Sequence, residues 1–373
     1  MRHPVSAILN PMAENVRMND VSLHAHGLTR RAVLLSALAA PAAWALPPRA
    51  MQFPRDFGSH PDLRTEWWYI TGHANAGARA FGFQLTFFRS RVEVTQSMRS
   101  AFAARQLIFA HAAITDLEGR KLWHDQRIAR EGFGVAYASE ADTDVRLRDW
   151  TLRRDDKGYT ARLPANGFAI DLRFDPTQAM MLQGSAGLSR KGPDVEQASY
   201  YYSEPQLLAK GSLTVQGRRF DVQGNAWLDH EWSDAYLHPD AAGWDWIGMN
   251  LFDGGALMAF RIRRRDGTTL WTGGSLRTAD GRQQVFEANA LRFDAEGTWT
   301  SPRTRAAYPT RWRIQTPAGA FSVRALLDDQ ELDSQGSTGT VYWEGLSELL
   351  DENGKAVGRG YLELTGYAQP LRL

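Results

Sequence analysis

Phe81-Gly82-Phe83-Gln84-Leu85-Thr86-Phe87 puts an apolar side chain on every second residue. That period of two marks a strand with one face turned to a core. Downstream, residues 107–115 form an almost continuous apolar run that stops at the turn signal Glu118-Gly119. Strands follow at 146–153, 159–163 and 169–174, with Asp155-Asp156-Lys157-Gly158 as the turn between the first two. The second half repeats the style. Residues 244–251 turn through Asp253-Gly254-Gly255 into 256–263, which turn through Asp266-Gly267 into 268–275. Later strands are expected at 312–315, 320–325, 339–344 and 358–367, and only short pieces such as 346–350 suit a helix. Many short strands at close spacing predict an all-β protein of antiparallel barrels or sandwiches.

The chain has 373 residues, long for one domain and natural for two. Thr29-Arg30-Arg31, a short apolar run, Pro41 and Ala43-Trp44-Ala45 read as a twin-arginine export signal with cleavage after Ala45. The apolar run is too short for a membrane span. The expected division is a signal peptide at 1–45, a first barrel at 46–234 and a second at 235–373, with turn-forming residues around 233–242 between them. Cleavage removes Arg2, Arg17, Arg30 and Arg31 with Glu14 and Asp20, so 43 bases against 42 acids become 39 against 40. That balance leaves no electrostatic footprint for nucleic acid. The mature protein is expected to be periplasmic or secreted, soluble or in peripheral contact with a membrane. With no cysteine, neither disulfides nor thiolate chemistry are available. Arg261, Arg263, Arg264 and Arg265 form the densest basic run and read as a solvated hairpin end beside Asp266-Gly267.

Three clusters mix acids with large rings: Glu66-Trp67-Trp68-Tyr69, Asp229-His230-Glu231-Trp232-Ser233-Asp234 and Trp244-Asp245-Trp246. Tryptophans alone usually mean core, but a carboxylate is costly to bury unless paired, so these acids need a reason. In an extended segment His230 and Trp232 share one face, with Asp229 and Glu231 on the other. One reading sets His230 and its neighbouring acids at the mouth of a tryptophan-lined cavity, where a proton can be held near neutral pH. Ring faces there would stabilise a cationic carbon. The plainer reading is a structural knot where two barrels meet. His111, alone in an apolar strand, and His73 beside Gly72 read as satisfied structural histidines.

Sharper motifs fail. His230-Glu231-Trp232-Ser233-Asp234 has aspartate where a zinc-protease helix needs its second histidine. Gly273-Gly274-Ser275-Leu276-Arg277 misses the last glycine of a nucleophile elbow. No phosphate-binding loop or dinucleotide fingerprint appears. No metal or cofactor is called for, with coordination by His230 and nearby acids as the open alternative.

Ser59-His60-Pro61, Glu66-Trp67-Trp68-Tyr69, Asp229-His230-Glu231-Trp232-Ser233, Gly243-Trp244-Asp245-Trp246, Tyr342-Trp343-Glu344-Gly345 and Gly360-Tyr361-Leu362-Glu363-Leu364-Thr365-Gly366-Tyr367 together resemble the AttH-type, carotenoid 1,2-hydratase-like family. The resemblance spans essentially all of the expected mature chain. It implies two lipocalin-like barrels side by side with a ligand cavity near their junction. Carotenoid hydratases of that family add water to a terminal double bond without a cofactor, and other relatives steer cyclisations. Their His-x-Trp pair matches His230 and Trp232. Their Tyr-x-Asp pair would fall near Met258-Ala259-Phe260-Arg261-Ile262, which holds no carboxylate. Glu231, Asp229, Asp245 or Glu66 would have to replace it. The hydrolase label often given to such proteins gains no support, since no nucleophile or metal triad is visible.

The expected ligand is a lipophilic small molecule such as a polyene, isoprenoid or lipid. As an enzyme, the protein would use His230, Glu231 and Asp229 for the proton. Trp232, Trp246, Trp244, Asp245, Glu66, Trp68 and Tyr69 would form the ligand pocket. The alternative is a non-catalytic carrier, or an accessory factor of a membrane transport complex.

Overall fold

The alternating apolar residues become antiparallel strands in the computed structural model, which describes residues 45–371. The predicted export signal, Ala45 apart, lies outside the described residues. The first sheet contains β1 (Thr65–Ala76), β2 (Arg79–Arg91), β3 (Gln106–Asp116), β4 (Lys121–Arg130), β5 (Ala136–Ala138), β6 (Asp144–Leu147), β7 (Trp150–Asp155), β8 (Gly158–Pro164), β9 (Phe168–Asp175), β10 (Met181–Leu182), β11 (Leu188–Arg190), β12 (Ala198–Val215) and β13 (Arg218–Ala235). The second contains β14 (Ala241–Leu251), β15 (Ala256–Arg264), β16 (Thr269–Arg277), β17 (Gln283–Val285), β18 (Arg292–Thr300), β19 (Ala307–Thr316), β20 (Gly319–Ala325), β21 (Glu331–Ser334), β22 (Thr340–Leu350) and β23 (Ala356–Leu364). Two short 3-10 turns, Arg55–Phe57 and Glu93–Thr95, are the only helical pieces among the described residues.

The first sheet runs β4-β3-β2-β1-β13-β12-β9-β8-β7-β6-β5 and curls until β3 and β4 approach β5 and β6, a nearly closed barrel. The second runs β17-β16-β15-β14-β23-β22-β20-β19-β18 around its own core. The fold is thus all-β, two lipocalin-like barrels side by side. Trp68, Phe87, Trp150 and Leu228 fill the first barrel, and Ile247, Tyr308, Trp312 and Trp343 the second. Each fully buried large side chain contributes roughly 2–3 kcal/mol. A third apolar layer, including Tyr69, Trp227, Trp246, Leu346 and Tyr361, lies between the sheets.

Three local expectations are corrected. Residues 146–153 are two strands, β6 and β7, because Arg148 takes a left-handed turn conformation (φ 59°) between them. Residues 346–350 are the end of β22, held between β20 and β23, so sheet pairing overrides their helical character. The arginine run is only partly solvated. Arg261 and Arg263 are buried and form ion pairs with Asp245 (2.6 and 3.1 Å).

Candidate functional site

Strand alternation divides the residues expected to form one site among three places. β1 and β13 pair in antiparallel register, Tyr69 opposite Asp229 and Trp67 opposite Glu231. Those four side chains leave the outer face of the first barrel. Glu66, Trp68, His230 and Trp232 leave the other face, into the barrel. On β14, Trp244 and Trp246 face the first barrel, while Asp245 points into the second.

Inside the first barrel, Glu66 is fully buried and saturated. Its Oε1 accepts from His60 Nδ1 (2.7 Å) and His230 Nε2 (2.9 Å). Its Oε2 accepts from Arg89 Nε (2.8 Å), the His60 amide (2.8 Å) and Ser59 Oγ (3.1 Å). Burial pushes the Glu66 pKa up, but the two histidines and the Arg89 charge outweigh it and hold the group well below the usual carboxylate range. His230 Nδ1 accepts from the Tyr202 hydroxyl at 3.1 Å. Burial lowers His230 to about 4 despite Glu66, so it is neutral at physiological pH. Trp68 stacks on His230 (4.7 Å) and His60 stacks on Trp232 (3.9 Å). His60, Glu66 and His230 lie close enough for three ligands of one metal ion. Their donor atoms are already engaged with one another, and Arg89 supplies the positive charge. This cluster ties β1, β2 and β13 to the segment before β1, and its residues are not among those lining the cavity between the barrels. His230 and Trp232 are therefore not where the cavity reading placed them.

Asp245 is likewise saturated. Arg261, Arg263 and the Tyr367 hydroxyl (2.8 Å) enclose it within the second barrel. Opposite charges leave no reactive carboxylate there, which corrects its place in the ligand pocket.

The void lies between the barrels, with a volume of about 350 Å³. Its floor is the outer face of the first sheet, where register aligns Glu231, Trp67, Phe88, Phe109 and Ile128 in one row across five strands. The next row holds Asp229, Tyr69, Thr86 and His111. From the second barrel come Trp244, Trp246, Tyr342, Glu344 and Glu363. Trp246 can lie flat against its own strand because residue 248 is glycine, whose Cβ would stand 2.3 Å from the ring. His111 bridges the barrels, with Nδ1 2.8 Å from the Tyr342 hydroxyl and Nε2 2.8 Å from Ser337 Oγ. Burial lowers it to about 3, so it acts as a neutral tie.

Four carboxyl groups meet at the inner end of the cavity. Asp229 accepts from Tyr201 (2.6 Å), Ser203 (2.5 Å) and Trp227 Nε1 (2.7 Å). Burial outweighs these bonds and raises its pKa to about 7. Glu231 accepts from Ser199 and pairs with buried Lys191 at 2.8 Å; burial still raises it. Glu363 and Glu344 are direct cross-strand partners on β23 and β22, so their carboxyls share one face. Burial raises Glu363 to about 7, against one hydrogen bond from Trp244 Nε1 (2.9 Å). Burial and the adjacent Glu363 raise Glu344 well above the ordinary range. Glu344 Oε1 and the Tyr69 hydroxyl lie close enough to influence each other, but neither completes a hydrogen bond of good geometry, and both residues line the cavity. Unpaired buried polar atoms are rare and call for a ligand or water.

Glu344 and Glu363 were absent from the candidates drawn from sequence, although both stand in quoted motifs. The available signal was a glutamate inside an apolar strand, Tyr342-Trp343-Glu344 and Tyr361-Leu362-Glu363, two Tyr-x-Glu pairs in a chain lacking the Tyr-x-Asp pair.

Fold and site together define a class: tandem β-barrels enclosing an aromatic, carboxyl-ended cavity at their junction. The chain belongs to the AttH-like family, whose profile matches residues 44–367. A crystal structure of an AttH from Nitrosomonas europaea is 47% identical to it, covers 87% of this chain and 99% of that one, and superposes with a TM-score of 0.81. Kievitone hydratase from Nectria haematococca is 16% identical over 86% of this chain and 94% of its own, with a TM-score of 0.68, a likeness of fold. No curated protein matches the chain.

Proposed function

We propose that the protein works outside the cytoplasm on a lipophilic, unsaturated small molecule held between the barrels, and adds water to, or isomerises, a carbon–carbon double bond without a cofactor. The observation that carries this reading is the side-by-side pair of cavity-lining carboxyls, Glu344 and Glu363, at the inner end of an aromatic cavity, where burial raises the pKa of both. A carboxylic acid kept protonated at neutral pH is a general acid, and indole faces favour the cation it creates. The Glu344 O–H gives its proton to the less substituted alkene carbon, and the π pair forms the new C–H bond. Trp67 and Trp246 face the cation left on the other carbon. A water oxygen then forms the C–O bond, Glu363 carboxylate takes the water's proton, and a shift between the paired glutamates restores the start. The net change is one water added.

The role assigned from sequence to His230 passes to the cavity acids. Geranylacetone, which has a terminal trisubstituted double bond, tests this in 18O-water. Binding is read from tryptophan fluorescence and product by mass spectrometry. Glu344→Gln should cut turnover by about 10²–10⁴ while leaving binding nearly unchanged. His230→Gln should lower stability and spare turnover. Full turnover in Glu344→Gln, Glu363→Gln and Asp229→Asn alike would take the chemistry away from these acids, and a wild type that binds the ligand without turning it over would leave a carrier, not an enzyme. Native mass spectrometry of protein from its own periplasm should show a chain beginning at Leu46 with an apolar adduct. A chain retaining residues 1–45 would end the export reading.

A further inference from the structure

The cavity floor leads outward to an unusual piece of surface. Among the described residues, nine large hydrophobic side chains are exposed, and five of them, Val94, Met98, Phe102, Ile128 and Phe133, belong to one end of β2, β3 and β4. Val94 is 80% exposed, Phe102 73% and Phe133 60%. Isolated exposed apolar residues are ordinary, but a cluster marks an interaction surface.

This cluster is built. The segment 92–105 joins β2 to β3 and is closed by bonds from the Val92 amide to Arg105 O (2.9 Å) and from Thr95 Oγ1 to Ala104 O (2.8 Å). Arg105 donates to Met98 O (2.7 Å) and Arg130 to Phe102 O (2.8 Å). Phe102 stacks on Phe133 at 5.5 Å, and the Arg130 guanidinium lies 4.0 Å from the Phe133 ring centre. Phe133 has φ 57°, a conformation bulky residues avoid, so the fold holds this ring outward against its backbone preference.

Charge surrounds the rings on one side of neutrality. Glu93 pairs with Arg91 (3.1 Å), while Arg99, Arg105 and Arg130 have no carboxylate partner among the described residues. The whole chain is nearly neutral, with formal net charge +1, so this arginine excess is local. Exposed rings flanked by guanidinium groups that no carboxylate neutralises match the boundary of an anionic bilayer, with rings among acyl chains and arginines at phosphates.

We infer that the segment 92–105, with Phe133 and Arg130, docks the protein on an anionic phospholipid surface, and that the cavity opens toward that surface. The patch is continuous with the cavity. Leu107 lies opposite Arg130 and lines the void, and Ile128, Phe109, Phe88 and Trp67 form an apolar path from the patch to the carboxyls. An apolar ligand dissolved in the acyl region reaches the acids along that row without crossing water. The purpose, though not the geometry, rests on the cavity holding such a ligand.

Vesicle co-sedimentation tests it with full-length mature protein, on phosphatidylcholine alone and on phosphatidylcholine with one-third phosphatidylglycerol. The protein should sediment with the anionic vesicles and be released by high salt. The double variant Val94→Asp, Phe102→Asp should bind about tenfold or more weakly, and Arg99→Glu, Arg105→Glu similarly. Phe252→Asp, 58% exposed outside the patch, should bind like the wild type. Each variant should keep its thermal midpoint and its affinity for geranylacetone in solution, which separates this result from failure of the cavity reading. No sedimentation with either vesicle, or patch variants that bind as the wild type does, would overturn the proposal. So would a dimer that the patch variants abolish without any vesicle binding.

Discussion

Glu363 has one hydrogen-bond donor, Trp244 Nε1, and what surface it exposes faces the cavity. That isolation makes its proton visible in stability. A free glutamate titrates near 4.5 and Glu363 at about 7. Below the lower value both folded and unfolded chains carry the proton, and the group costs nothing. As pH rises from 4.5 to 7 the unfolded chain ionises first, so the folded state loses stability, and the loss levels off above 7. Glutamine is neutral throughout and keeps the bond from Trp244. Urea denaturation of Glu363→Gln should therefore show a gain over the wild type that grows across that window to on the order of 2 kcal/mol, cavity water screening part of the full shift. A difference that stays constant from pH 4 to 9 would mean the carboxyl is not raised. The same residue shows the limit of the sequence. Alternation predicted that Asp229 and Glu231 oppose His230 and Trp232, because that rule is local. That Glu344 and Glu363 join Asp229 depends on β23 pairing with β14 across more than a hundred residues, which no local pattern encodes.

At the level of strands, the cavity exists because two sheets touch closely at one place and part at another. The touching place is Gly82 on β2. A Cβ there would stand 2.7 Å from the Tyr361 hydroxyl, 3.0 Å from Leu346 Cβ and 3.2 Å from Thr115 Cβ. The tyrosine tip can swing away, but Leu346 Cβ is fixed to β22. Gly82→Val should thus destabilise by about 1–3 kcal/mol, the range for an overpacked contact. It should also weaken geranylacetone binding, since the sheets are pushed apart beside the row from Tyr69 to His111. A valine variant with wild-type stability and binding would show that the contact yields freely. Gly82 sits inside the heptapeptide whose alternation gives the strand, yet its partners come from the other barrel. The strand could be read from sequence; the reason for its glycine could not. The helical character of 346–350 is overridden for the same reason, since Leu346 and Leu349 are positioned by β20 and β23 rather than by their neighbours in the chain.

Across the whole molecule, the proposed function places proton and ligand in the same hollow, so each should alter the binding of the other. An apolar molecule displaces water from Asp229, Glu344 and Glu363, and that costs more with each of these carboxyls that is charged. Asp229 and Glu363 lose their protons near 7, so affinity for geranylacetone should fall as pH rises from 6 to 9. A ligand that binds only the folded state stabilises it by RT ln(1 + [L]/Kd), so at fixed ligand the rise in thermal midpoint should shrink over the same range. With the wild type, a tenfold loss of affinity removes about 1.4 kcal/mol of that stabilisation once ligand is in excess. In the combined variant Glu363→Gln, Asp229→Asn the rise should become nearly independent of pH, because the cavity no longer gains charge. Were the midpoint shift equal at both ends of the range in the wild type, the ligand would not be resting against these carboxyls, and catalysis by them would fall with it.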